Sequence, residues 1–290
     1  MLTEVYCEID DICKQIQQQF NKKVLIGSSK SRNRIRMTHS EILTISILFH
    51  FSKYKTFKDY YLYYVEKDLK SAFPNLVSYT RFVELKGICS GLLTLVSQAL
   101  LGKNTGISII DSTTLEACGI KRGYNHKVLK GIAKKGKSSM GWFFGTKLHL
   151  VINHLGEIVS TMLTSGNISD GNKNIVNVLT KNISGKLVAD KGYIGNFQSL
   201  FQRGITLIHG IRINMKNKFM HLFDKFLLRK RSIIETVNGI LKESLSLEHA
   251  RHRSVNGFIA HIFSTVSAYS FYKNKPMIKL SKKEALSLVI

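Results

Sequence analysis

The chain has 290 residues, 44% of them apolar, enough to bury one large core or two smaller ones, which excludes a disordered polyelectrolyte. Its formal net charge of +24 opposes compaction unless a polyanion is a usual partner, and nucleic acid is the commonest one; a merely solvated basic surface is the competing reading. The cysteines, Cys7, Cys13, Cys89 and Cys118, are scattered and form no C-x-x-C pair, so neither a zinc site nor a disulfide framework is indicated and a reducing compartment fits.

The first residues lack a basic region followed by an apolar run. The most apolar stretch, 42–51, is short and broken by Thr44, Ser46 and His50, so neither a signal peptide nor a membrane span is read and a cytoplasmic location is expected. Val5, Ile9, Ile12, Ile16 and Phe20 form the stripe of an amphipathic helix. A basic polar stretch, 27–36, follows, and Thr38 with Glu41 then forms a capping-box pattern opening a second helix to about Phe51. Aromatic residues crowd 54–64, Pro74 breaks the chain, and another helical pattern covers 80–101. Residues 1–104 therefore read as an all-helical domain.

After a turn at 103–106 the pattern changes to short strands. The first runs from Ile107 and ends at Asp111; 145–153 and 157–164 read as a hairpin; then come a helix at 172–182, a strand at 186–190, a helix at 196–203 and a strand at 205–213. Helices at 230–247 and 254–272 complete a second domain, 105–275, and 276–290 reads as a tail. The whole is α/β in the mixed, α+β sense.

Three carboxylates stand in unlike settings. Asp111 and Asp190 each end an apolar strand, where side chains face a crevice rather than the core, although each alone also suits a turn or helix cap. Glu235 lies in a helical pattern whose apolar side is Ile233, Val237 and Ile240, with Arg231, Asn238 and Lys242 clustered near Glu235; a solvated face with i,i+4 ion pairs is the plainer alternative. Clustered carboxylates resist ionising together unless cations neutralise them. Oxygen-only ligation suits Mg2+ or Mn2+, and two such ions about 4 Å apart activate a hydroxyl nucleophile and stabilise a leaving oxygen. Asp170 and Asp224 read as decoys, the first as a helix cap and the second as part of a polar connector.

Between Glu116 and Glu157 there is no acidic residue, while Lys121, Arg122, Lys127, Lys130, Lys134, Lys135 and Lys137 lie among glycines. This reads as a mobile cationic loop able to follow a phosphate backbone, or as solvated linker charge. A second acid-free stretch, 191–223, carries Lys191, Arg203, Arg212, Lys216 and Lys218. Tyr124, Trp142 and Tyr193 are candidates to stack on unpaired bases, whereas Phe143 is better suited to the core. His149 shares a strand face with Lys147 and reads as structural. His249 and His252, with Arg251 and Arg253, read as a basic turn.

With these residues in hand, the chain resembles bacterial insertion-sequence transposases of the DDE type, most closely the insertion sequence 982 family, over nearly its full length. The run 109–113 is similar to the family's first acidic motif, 189–193 to its D-x-G-Y motif, and Arg231, Glu235 and Lys242 to its third signature. Leu228 stands where related enzymes often carry a tyrosine. The resemblance implies a ribonuclease H-like mixed sheet flanked by helices, with Asp111, Asp190 and Glu235 as catalytic metal ligands for Mg2+ or Mn2+, two ions per site. It implies that Arg231 and Lys242 grip DNA, that the helical domain reads terminal inverted repeats, and that a homo-oligomer cleaves element ends and joins them to target DNA in the nucleoid. A ribonuclease H-like nuclease that never joins, and a non-catalytic DNA-binding protein of transposase descent, are the alternatives.

Overall fold

The computed structural model describes residues 1–19, 36–138, 141–210, 219–248 and 252–280. The chain forms two compact units, Met1–Leu100 with Leu241–Tyr272, and Leu101–Ile240 with the segment from Lys273 onward.

The first unit is helical. Helix α1, Leu2–Gln19, buries Val5, Ile9, Cys13 and Ile16, so that Cys13 takes the place of Ile12 in the expected stripe; Phe20 lies outside the described residues. Helix α2, His39–Leu48, opens with the predicted capping box: Thr38 Oγ1 accepts from Glu41 N–H, and Glu41 Oε2 accepts from Thr38 N–H at 2.6 Å. Helix α3 spans 57–68 with a π-turn at Tyr61–Val65 and builds an aromatic cluster in which Tyr61 and Phe82 lie 4.8 Å apart. The pattern at 80–101 divides into α4, Tyr79–Ile88, and α5, Ser90–Ala99; the break at Cys89 falls between Gly87 and Gly91, the poorest helix formers of that stretch.

Residues 241–272, read from sequence as part of the catalytic domain, fold with these helices. Helix Val255–Ser270 is buried on nearly every side from Phe258 to Tyr269 and packs on α2, α4 and α5, as an all-round apolar helix must. His50 ties it in, with Nδ1 2.7 Å from Leu245 O and Nε2 2.8 Å from Ser264 Oγ.

The second unit is built on a six-stranded sheet, counted among the described residues. Strands β1 (Ile107–Cys118), β2 (Lys134–Ser138), β3 (Gly141–Asn153), β4 (Ile158–Ser165), β5 (Gly185–Ala189) and β6 (Ile205–His209) follow in chain order. Across the sheet the order is β3-β1-β5-β6, with β2 and β4 both pairing the outer side of β3; β5 and β6 run parallel and the β3 pairings are antiparallel. The sheet is mixed, curled and flanked by helices, the ribonuclease H-like arrangement that was expected.

Two expectations change. β1 does not end at Asp111 but continues to Cys118, because Thr113, Thr114 and Leu115 suit a pleated surface and pair with β3 along the whole length. The expected cationic loop contains β2, whose lysines tolerate an edge position while Gly136 turns inward. The strand end at 211–213 and most of the tail, 281–290, lie outside the described residues. Ile278 of that tail is buried, and its N–H donates to His154 O at 2.8 Å.

One face of the sheet joins Ile110, Val151, Leu187, Ala189 and Leu207 with Ile175, Val176 and Leu179 of α6 (Lys173–Leu179) and Leu200 of α7 (Phe197–Phe201). Helices α8 (Leu222–Arg229) and α9 (Ile233–Gly239) pack on β5, β6 and β1. Each large apolar side chain so buried contributes about 1.5–3 kcal/mol over exposure. A one-residue slip of β1 would turn Asp111 into that core and Ile110 out of it, so the register is strongly specified.

Candidate active site

β1 and β5 run parallel with Ile109 opposite Val188. Two residues further along, on neighbouring strands at the same level, stand Asp111 and Asp190, the latter the first residue past β5. Asp111 is half-buried, and its Oδ1 accepts the N–H of Ser112 at 2.8 Å. Burial pushes its carboxyl up to about 6; the Ser112 N–H and Arg231 pull it down, and the nearby charges of Asp170 and Asp190 raise it further. Asp190 is exposed and opens the 3-10 turn Lys191–Asn196.

Asp170, set aside from sequence as a helix cap, belongs to this cluster. Asn172, not Asp170, caps α6. Asp170 Oδ1 accepts from Ser112 Oγ at 2.7 Å and from Lys147 Nζ at 2.9 Å, and Lys147, otherwise buried, also donates to Ile168 O. The missed signal lay in alternation: Lys147, on the face of β3 that Ser112 shares, needed a carboxylate. The loop carrying Asp170 is set directly on the turn after Asp190. A Cβ on Gly171 would stand 2.3 Å from Gly192 O, and Asn196 Nδ2 donates to Gly171 O at 2.9 Å.

Tyr193 is 2% exposed, so it does not stack on bases; it packs in the core of the sheet unit, near the carboxylates. Burial and then the charges of Asp111, Asp170 and Asp190 push its phenol up, and its buried hydroxyl has no hydrogen-bond partner among the described residues. His149, also buried, accepts or donates at Nε2 with Thr164 Oγ1 at 2.8 Å, and burial holds its imidazole down at about 4, neutral as a structural histidine should be.

Glu235 lies on α9 with its side chain 60% exposed, 3.4 Å from Arg231 Nη2. Arg231 therefore links the two groups, touching Glu235 and acting on the charge of Asp111. Among the described residues no three His, Cys, Asp or Glu side chains are gathered closely enough to hold a metal ion. The donor set nonetheless fits a hard cation: Asp111 and Asp190 offer only oxygen, they carry crowded negative charge, and the unpartnered Tyr193 hydroxyl suits ordered water beside an ion. Lys242 lies in the first unit, where its Nζ is 2.6 Å from Glu248.

The basic residues take several positions. Lys121 and Arg122 lie exposed on a helical turn, Ile120–Gly123, and border a shallow cleft with Glu116 and Trp142. Lys127, Lys130 and Lys191 are exposed, as are Lys134, Lys135 and Lys137 on β2. Lys135 and Lys137 stand 4.7 and 5.8 Å from the Trp142 ring, which is 55% exposed, while Phe143 is buried as expected. Tyr124 is 87% exposed. Asp224 pairs with Lys186. Arg212, Lys216, Lys218, His249 and Arg251 lie outside the described residues.

A family model described as transposase DDE domain matches residues 101–255, more than half of the chain. No curated protein matches it. With a ribonuclease H-like sheet, aspartates at the same level of adjoining parallel strands and this match, the chain belongs to the DDE transposase family.

Proposed function

We propose that the protein is a DNA transposase of the insertion sequence 982 type, which binds terminal inverted repeats, cuts at the element ends and joins the 3′ ends to target DNA as a homo-oligomer. The observation that carries this is the parallel register that sets Asp111 beside Asp190 next to a further carboxylate, Asp170. Asp111, Asp190 and Glu235 would hold Mg2+ or Mn2+, two ions per site. When bound, such ions lower the pKa of the attacking hydroxyl and neutralise the leaving oxygen.

The chain's own residues do the rest. Burial makes Asp111 reluctant to ionise without a cation, so it discriminates between the loaded and the empty site. Arg231 holds positive charge against the cluster and is free to turn to a phosphate. The Arg231–Glu235 pair, so exposed, is worth at most about 1 kcal/mol, and leaving it for a divalent cation costs Glu235 little. Lys147 and Ser112 clamp Asp170, fixing the loop against which Asp190 is set. The lysines of β2 and the turn at 120–123 offer a cationic track for the backbone, with Trp142 exposed for an unpaired base. The helical unit, residues 1–100 with 241–272, would read the repeat, the sheet unit of residues 101–240 would cut and join, and Lys242 would touch DNA near the element end. No helix among the described residues is long and apolar enough to cross a membrane.

The test uses pre-cleaved and uncleaved repeat ends with Mg2+. Asp190→Asn removes a charged ligand with little change in volume, so cleavage and joining should vanish while end binding stays within about twofold. Hydrolysis without any joined product from the unaltered protein would mark it as a nuclease, and retained cleavage in the variant would overturn the site assignment.

A further inference from the structure

Within the helical unit a cleft of about 710 Å3 is bordered by Phe57, Lys58, Tyr79, Lys86, Arg253 and Ser254. Lys86 is 8% exposed, yet its Nζ meets no carboxylate or hydrogen-bond acceptor among the described residues; its neighbour is the face of the Phe57 ring at 4.2 Å. A ring quadrupole offsets only part of what burying an ammonium costs, so the group is under-compensated as it stands. Among the described residues the one acid bordering the cleft, Glu84, is engaged by Arg81 at 2.8 Å.

A second feature converges there. Helix Val255–Ser270 begins at the cleft, and Ser254 Oγ accepts from Gly257 N–H at 3.0 Å, which leaves the N–H groups of Val255 and Asn256 without an intrahelical acceptor. Exposed Lys58 and Arg253 add positive charge at the mouth. The cleft thus offers an anion a buried cation, a helix start and flanking cations, with the ring of Tyr79 alongside.

We propose that this cleft takes the phosphate of an unpaired nucleotide, at a strand end or on a strand opened from its partner, with Lys86 as the buried cation and Tyr79 beside the base. A phosphate on the outside of an intact duplex stays at the surface and does not reach so enclosed an ammonium. A cleft of this size admits a single nucleotide. Burial holds the Lys86 amine down at about 7, so a bound phosphate restores its charge. The proposal rests on DNA being the partner.

Lysine acylation of the full chain, read residue by residue by mass spectrometry, tests it. A 5′-phosphorylated single strand of about five nucleotides should slow the labelling of Lys86 about tenfold, whereas a covalently closed circular duplex should slow Lys134 and Lys135 but not Lys86. Lys86→Met, which replaces an unpaired buried charge with an apolar chain of similar length, should lower affinity for the single strand about tenfold and leave affinity for the circle unchanged. Equal labelling of Lys86 with and without saturating single strand overturns the proposal, as does equal protection by inorganic phosphate at the same concentration, which would make this a free-anion site. If neither DNA binds at all, the reading of the protein as a transposase falls with it; if the circle binds and Lys86 stays unprotected, only this cleft is misassigned.

Discussion

Lys147 Nζ stands 2.9 Å from Asp170 Oδ1, and the lysine is buried while the carboxylate is partly open to solvent. The pair joins the middle of β3 to the loop before α6, and through Ser112 Oγ it reaches the residue beside Asp111. An interior strand position thereby supports Asp111, a proposed metal ligand, without touching it.

Removing one partner should be worse than removing both. Lys147→Met leaves Asp170 without its counter-charge beside Asp111 and Asp190, and should cost about 1–3 kcal/mol after allowance for the exposure of Asp170. The double variant with Asp170→Asn should recover part of that loss. Urea denaturation of the four proteins closes the cycle, and additive losses would show that the pair is not coupled.

His149 makes stability depend on pH. Its folded-state pKa, about 4, lies below the ordinary value of 6.5, so the unfolded chain binds more protons between these limits. The contribution is fully present above pH 6.5 and is lost as pH falls from 6.5 toward 4. His149→Gln should flatten the stability curve of the protein in that window, as measured by denaturant midpoints at half-unit pH steps.

Gly171 tests the seating of the two loops. A Cβ there would meet Gly192 O at 2.3 Å, backbone against backbone, so Gly171→Ala must push the Asp170 loop away from the turn after Asp190. The expected cost is about 1–3 kcal/mol, with cleavage falling more than DNA affinity. Gly195→Ala, where a Cβ meets nothing within 4 Å, is the control and should be close to neutral in both assays.

On β2, Lys134 and Lys135 point into solvent, and Lys135 lies over Trp142. Replacing both with glutamine should weaken binding to all DNA sequences alike and lower the slope of log affinity against log salt by about 1 for each phosphate no longer neutralised. An unchanged slope would show that this edge does not touch the backbone.

What the sequence determined by itself was local. The stripe of α1, the Thr38–Glu41 capping box, the hairpin of β3 and β4 and, within a residue at its ends, the strand that leads to Asp190 follow from periodicity and capping chemistry carried by residues close in the chain. The fold class and the DDE transposase class were also legible, the latter because the D-x-G-Y run keeps its meaning without coordinates; that Asp111 lies at the level of Asp190 was legible too, although β1 runs on past Asp111 instead of ending there. Tertiary structure alone decided the rest. Alternation along β3 shows that Lys147 needs a carboxylate, but nothing names Asp170, 23 residues downstream, as the one that meets it. β2 read as a loop because its lysines carry no apolar alternation, and only pairing with β3 makes it a strand. Residues 241–272 read as a continuation of the catalytic domain, yet an apolar helix joins whichever surface buries it, and here that surface is the amino-terminal helices. The enclosure of Lys86 is of the same kind, since burial is a property of what surrounds a side chain.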